Sequence, residues 1–164
     1  MSDTIAAIAT PIGEGGLTII RFSGTDSLSI ALKLFYTPSG KSIKKLYPNK
    51  AHFGSIYEPT TRKCVDEVVL TWFKNPKSYT GEDVVEISAH GGTFVSSRIL
   101  GLVLDHGARL AEPGEFTRRA FMNGRIDLSQ AEAVADLISA SSDKALQAAI
   151  MQLKGRLSKK ITKL

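Results

Sequence analysis

At 164 residues, 43% of them apolar and one of them cysteine, the chain suits one domain with an appendage and excludes an internal disulfide. No apolar run reaches transmembrane length, and no basic stretch followed by an apolar one opens the chain, so neither a membrane span nor a signal peptide is read and a reducing cytoplasm fits. The formal net charge is +5, but six basic residues against one acid fall from Asp143 onward, leaving Met1–Ser142 neutral with 15 of each. Phosphate-dominated binding needs clustered cations, so this balance argues against a general nucleic-acid-binding domain.

In chain order, Thr4–Thr10 (TIAAIAT) and Leu17–Phe22 (LTIIRF) read as short strands around a glycine-rich loop at 11–16. Asp26 or Ser27 can cap a helix over Leu28–Phe35, apolar at 28, 31, 32 and 35. Residues 36–50 are polar and lysine-bearing, a surface loop. Strands follow at His52–Tyr57, Glu67–Phe73 and Val84–Ala89, the last two joined by a long connection, KNPKSYTGED. Gly91-Gly92 leads into a helix from Thr93 to His106, and Ala108–Ala111 is a final strand. This order of strands and helices argues an α/β domain with a mixed sheet.

Glu112–Ile138 carries the densest helix signals. Pro113 suits a first helical turn, and the helix Gly114–Met122 is stopped by Asn123-Gly124. Asp127 caps the next helix, with Gln130 as the reciprocal half of a capping box. Arg125 and Ile126 are the only link, so the direction of Arg125 is tightly specified. Ser141-Ser142-Asp143 marks a break and a fresh cap. Leu146, Ile150, Leu153, Leu157 and Leu164 then form one apolar stripe that must be buried. The stripe has no glycine stop, so we expect either the front piece of a longer protein, the reading taken forward, or packing on a partner chain.

Several chemical motifs fail on inspection. Gly40-Lys41-Ser42 lacks the earlier glycine of a P-loop, and Asn49-Lys50-Ala51-His52 lacks a guanine-reading aspartate. Gly13-Glu14-Gly15-Gly16 sits between strands rather than before a helix. Cys64 and three scattered histidines show no metal-ligand spacing, and no nucleophile-and-base pair assembles. Three charged residues stand out by location: Arg21 and Glu86 within apolar strands, and Arg125 at its corner. For Arg21 and Glu86, strand alternation would leave each solvated on a wet face, the reading that pattern alone slightly favours. Alternatively they pair with each other, or a carboxylate and arginines line a pocket for a heterocycle with an anionic tail. His90-Gly91-Gly92 would open a helix N-terminus to an anion and allow close approach of a ligand; a tight turn explains it equally well.

DTIAAIATPIGEGGLTIIRFSG, SYTGEDVVEISAHGG and PGEFTRRAFMNGRIDLSQAEAVADLISASS together resemble the N-terminal region of the MnmE (TrmE) tRNA modification GTPases, over essentially the whole chain. The resemblance implies an α/β (α+β) tetrahydrofolate-binding-like domain over residues 1–118, which dimerises, followed at 119–164 by the first helices of a helical domain. It implies a folate ligand, with 5-formyltetrahydrofolate as analogue, held by Arg21, Glu86 and Arg125; at the third position a lysine also occurs in the family. No catalytic or metal-ligating residue is implied within this chain, and Cys64, which matches no functional cysteine of the family, reads as structural. In the full protein a G domain would hydrolyse GTP with magnesium and potassium. With an FAD-dependent partner enzyme, that protein would install an aminomethyl-type group on C5 of the wobble uridine of certain tRNAs. The G domain and a terminal cysteine motif are not in this sequence, so the fragment alone is expected to be non-catalytic. The competing expectation is a dimerisation module with a vestigial pocket.

Overall fold

A computed structural model describes residues 3–11 and 13–155. The chain divides into two compact units, Met1–Ser78 with Glu82–Glu112, and Tyr79–Gly81 with Pro113–Leu164.

The first unit is a mixed α/β layer. Its strands are β1 (Thr4–Ile8), β2 (Leu17–Ser23), β3 (Phe35–Tyr36), β4 (Ala51–Tyr57), β5 (Cys64–Phe73), β6 (Val84–His90) and β7 (Ala108–Leu110). They lie in the order β3-β4-β5-β6-β2-β1-β7, antiparallel throughout except for the parallel pair β1–β7. Two helices, α1 (Ser27–Leu34) and α2 (Thr93–Asp105), pack on one face. Period-two alternation selects that face: Ile20 and Phe22 of β2, Val85 and Ile87 of β6, and Leu70 and Trp72 of β5 are buried beneath the helices. Ile30, Ala31 and Leu34 of α1 and Ile99, Leu102 and Val103 of α2 close the core. Truncating Phe22, fully buried at its centre, costs about 3–5 kcal/mol by the usual behaviour of core aromatics.

Two features depart from expectation. Residues 36–50 are not wholly a surface loop, because Tyr36 completes the two-residue edge strand β3 and Leu46 plugs into the core. Cys64, read as structural, is free and exposed at the start of β5.

The second unit holds α3 (Glu115–Met122), α4 (Leu128–Ser139) and α5 (Asp143–Leu153). Asp127 and Gln130 form the expected reciprocal capping box, and the Ser142 side chain accepts from the Ala145 amide. Pro113 falls outside α3, because Gly114 takes a left-handed φ of 74° as N-cap. The α4–α5 pair is tied at its ends: Gln130 Nε2 donates to Leu153 O (2.7 Å) and Gln152 Nε2 to Ser129 O (3.0 Å). A glycine stop does exist. Helix α5 ends at Leu153 and Gly155 turns left-handed at φ 68°, its amide bonded to Gln152 O. Leu157 and Leu164 of the expected stripe lie outside the described residues.

Candidate functional site

Arg21 and Glu86 stand directly opposite each other on β2 and β6, 65 residues apart in sequence. Both belong to the alternate positions of their strands and point away from α1 and α2. Arg21 Nε donates to Glu86 Oε1 at 2.8 Å, and Nη2 lies 2.6 Å from the same oxygen. Thus the pairing alternative is what the fold selects. The side chains are 29% and 23% exposed, so the pair is neither free in solvent nor sealed in the core. Both contacts fall on Oε1; among the described residues, Oε2 accepts nothing further.

What flanks the pair matters as much. In the same row across the sheet stand Ala7 on β1 and Thr71 on β5, small side chains that flank the ion pair on either side. The neighbouring row on that face runs Ile19, Ser88, Val69, Phe53, with Val69 38% and Phe53 59% exposed. A carboxylate oxygen, a guanidinium and an adjacent apolar strip are the ingredients for holding a flat, hydrogen-bonding heterocycle.

Arg125 is placed within the second unit by its own contacts. Its amide donates to Ala120 O at 2.9 Å, and Gly124 before it takes φ 67°. Tyr79–Gly81, carried out on the β5–β6 connection, packs beside it. Asn123 Nδ2 donates to Thr80 O (2.8 Å), and Tyr79 Oη lies 2.9 Å from Thr117 Oγ1. A Cβ on Gly81, itself at φ 79°, would stand 3.1 Å from Arg125 Cγ. Of the three residues singled out in sequence, the structure brings Arg21 and Glu86 together and seats Arg125 against Gly81. Sequence reasoning missed the Tyr79–Gly81 segment; its one signal was a glycine inside a long polar connection.

The His90-Gly91-Gly92 turn has a different use from the one entertained. Asp66 grips His90 through both its ring Nδ1 (2.7 Å) and its amide (2.8 Å). A Cβ on Gly91 would sit 2.1 Å from Gly15 O, so the close approach there is made by the chain's own glycine loop. Gly91 therefore seats the 13–16 loop against the end of β6, while the space beside Gly92 is open.

Among the described residues, no group of three or more His, Cys, Asp or Glu could hold a metal ion, and no helix is long and apolar enough to cross a membrane.

An α/β sheet backed by two helices, with a partly exposed Arg–Glu pair on the face opposite them and a helical unit following in the chain, defines the class: an α/β domain leading into a helical segment. The chain belongs to the family described as the GTP-binding protein TrmE N-terminus, which matches residues 4–125. It is similar to the tRNA modification GTPase MnmE of Geobacillus thermodenitrificans (strain NG80-2), with 54% identity over 162 residues, 99% of this chain and 35% of that protein. The tRNA modification GTPase MnmE of Geobacillus kaustophilus (strain HTA426) is 55% identical over the same shares. That of Streptococcus pneumoniae serotype 2 (strain D39) is 54% identical over 95% of this chain and 34% of its own length. The chain spans about a third of the length of these curated relatives.

Proposed function

We propose that this chain is the folate-binding, dimer-forming module of a tRNA modification GTPase. The observation that carries it is the Arg21–Glu86 pair, partly exposed on the sheet face away from the helices and bordered by the Ile19–Ser88–Val69–Phe53 row. Glu86 accepts hydrogen bonds from the amino group and ring N–H of a pterin through Oε2, while its other oxygen keeps Arg21 in place. Arg21 and Arg125 hold the polar ring edge or the glutamyl carboxylates, and the planar guanidinium suits either acceptor. A bound tetrahydrofolate supplies the one-carbon unit. The chain's own residues bind and orient it.

The functional division runs at 1–118 for the folate-binding, dimerising domain and 119–164 for the start of a helical domain. The relatives' printed name supports a role in tRNA modification and GTP hydrolysis for the whole protein. We extend this to a cytoplasmic protein that uses GTP, magnesium and potassium. It works with tRNA and an FAD-dependent partner enzyme and installs an aminomethyl-type group on C5 of the wobble uridine.

Isothermal titration with 5-formyltetrahydrofolate tests the site. Saturable binding that Glu86→Ala abolishes supports it, and unchanged affinity in that variant removes it. The exposure of Phe53 and Val69 favours a second reading, a dimerisation module whose pocket is vestigial. Sedimentation separates the two, because a dimer that forms without folate and never binds it belongs to the second.

A further inference from the structure

The neutrality of Met1–Ser142 conceals a local imbalance. Residues 36–63, which run through β3, the following loop, β4 and the turn after it, hold Lys41, Lys44, Lys45, Lys50, Arg62 and Lys63 against the single acid Glu58. All six cations are exposed, and they gather at one edge of the sheet because β3 and β4 are its terminal strands. Among the described residues, Lys41, Lys44, Lys45, Lys50 and Arg62 make no salt bridge, and Glu58 is already taken by Arg98 and by the Thr61 hydroxyl.

Aromatic rings are interleaved with this charge at both ends of β4. At one end the Lys45 and Lys50 ammonium groups stand 5.1 and 5.6 Å from the centroid of the Tyr47 ring, which is 52% exposed and lies near-parallel to His52. Two like charges converging on one ring are a poor arrangement alone and a good one around an anion. At the other end Tyr36 and Tyr57, with centroids 5.1 Å apart, line a cleft of about 190 Å³ with Gly40, Glu58 and Arg62. That cleft is below the roughly 300–1,000 Å³ of a drug-sized site, so it suits one flat ring or one phosphate rather than a whole folate. His52 and Tyr57 lie five residues apart on β4, about 17 Å at the usual rise.

We propose that this edge is a contact surface for single-stranded RNA, with bases stacking on Tyr47 and on the Tyr36–Tyr57 pair and phosphates meeting the lysines and Arg62. Alternating stackable rings and unpaired cations along an edge strand are the pattern of sequence-tolerant single-strand binding. A merely acidic protein partner would need the charge but not the rings. The choice of RNA over DNA rests on the tRNA-modifying reading above; the surface itself does not.

The test is fluorescence anisotropy of a labelled twelve-uridine RNA with the 1–164 chain across a salt series. The expected result is saturable binding that weakens linearly in log–log salt. Lys45→Glu with Lys50→Glu should lower the slope by about 1.4, at roughly 0.7 per lost single-strand phosphate contact. Tyr47→Ala, which leaves every charge in place, should weaken binding at least about fivefold, and Tyr47→Phe should not. All these positions are exposed, and unchanged circular dichroism checks folding. No saturable binding, indifference to Tyr47→Ala, or equal competition by polyglutamate would overturn the proposal. So would loss of binding on Lys154→Glu with Lys159→Glu and Lys160→Glu but not on the 45/50 pair. Folate titration of the same proteins keeps the two ideas apart. RNA binding without folate binding sinks the folate site alone, and the converse sinks only this surface.

Discussion

The middle of the sheet and its β3–β4 edge handle charge in opposite ways. At the middle, one arginine meets one glutamate across adjacent strands at 2.6 Å, with small neighbours and an apolar row beside them. At the edge, five cations without salt bridges lie around the exposed Tyr47 and the part-buried Tyr36 and Tyr57. A paired charge that is half withdrawn from water is held still, so it can present one remaining oxygen in a fixed direction. Unpaired surface cations are mobile and strongly screened, so they attract any polyanion but orient none. The first arrangement suits a small ligand recognised by geometry, and the second suits a long, charged, sequence-tolerant one.

The largest effect that would break this contrast is loss of Glu86. Glu86→Ala should lower affinity for 5-formyltetrahydrofolate at least about 100-fold, roughly 2.7 kcal/mol, within the range for hydrogen bonds to a charged group. The same change should move the urea unfolding free energy by only about 1 kcal/mol, because the pair is partly solvated. A variant that loses several kcal/mol of stability but keeps its folate affinity would make the pair structural and erase the difference between the two regions. Glu86→Gln sharpens the point: it keeps a carbonyl acceptor but loses the charge, so its affinity should fall between wild type and the alanine variant.

A smaller effect concerns the corner that seats Arg125. Removing the Asp127 cap by Asp127→Ala should destabilise the helical unit by about 1 kcal/mol, read from its thermal midpoint. If Arg125 contacts folate, the same variant should weaken folate binding severalfold while leaving RNA anisotropy untouched. Equal weakening of both ligands would mean that the two surfaces are not separable.

The capping box, the Asn123-Gly124 stop and the alternation in β2 and β6 were readable because each depends on neighbours within a few residues. Which residue faces Arg21 was not readable, since the register of β2 on β6 joins positions 65 apart and strand alternation slightly favoured a solvated face. Edge strand β3 is two residues long, too short to show any period. Gly155 was overlooked because the leucine spacing of α5 continues past it, and a stripe says nothing about φ. The basic edge was hidden by summing: its six cations are offset by carboxylates such as Asp66, Glu67, Glu82 and Asp83, which the fold puts on other strands and turns. Charge balance over a whole domain is therefore a poor guide to any one face of it.

The smallest expected effect lies at Glu58, the one acid within the basic edge. A hydrogen bond from the Thr61 hydroxyl and the Arg98 guanidinium hold its carboxyl below the ordinary value, against a weaker opposing pull from burial. A carboxyl depressed in the folded chain binds protons less readily than in the unfolded chain. Its stabilisation is therefore fully present above the ordinary glutamate value of about 4.3 and is lost as pH falls through the folded one. Thr61→Ala removes the first cause, so wild type and variant should differ slightly in urea midpoint at pH 7 and converge in strong acid. Glu58→Gln carries the comparison back to the ligand. Deleting the lone negative charge should tighten twelve-uridine RNA about two- to threefold at low salt, and the gain should fade at high salt as screening removes the repulsion. A gain that persists at high salt would mean that the new amide hydrogen-bonds the RNA directly rather than merely lifting a charge repulsion.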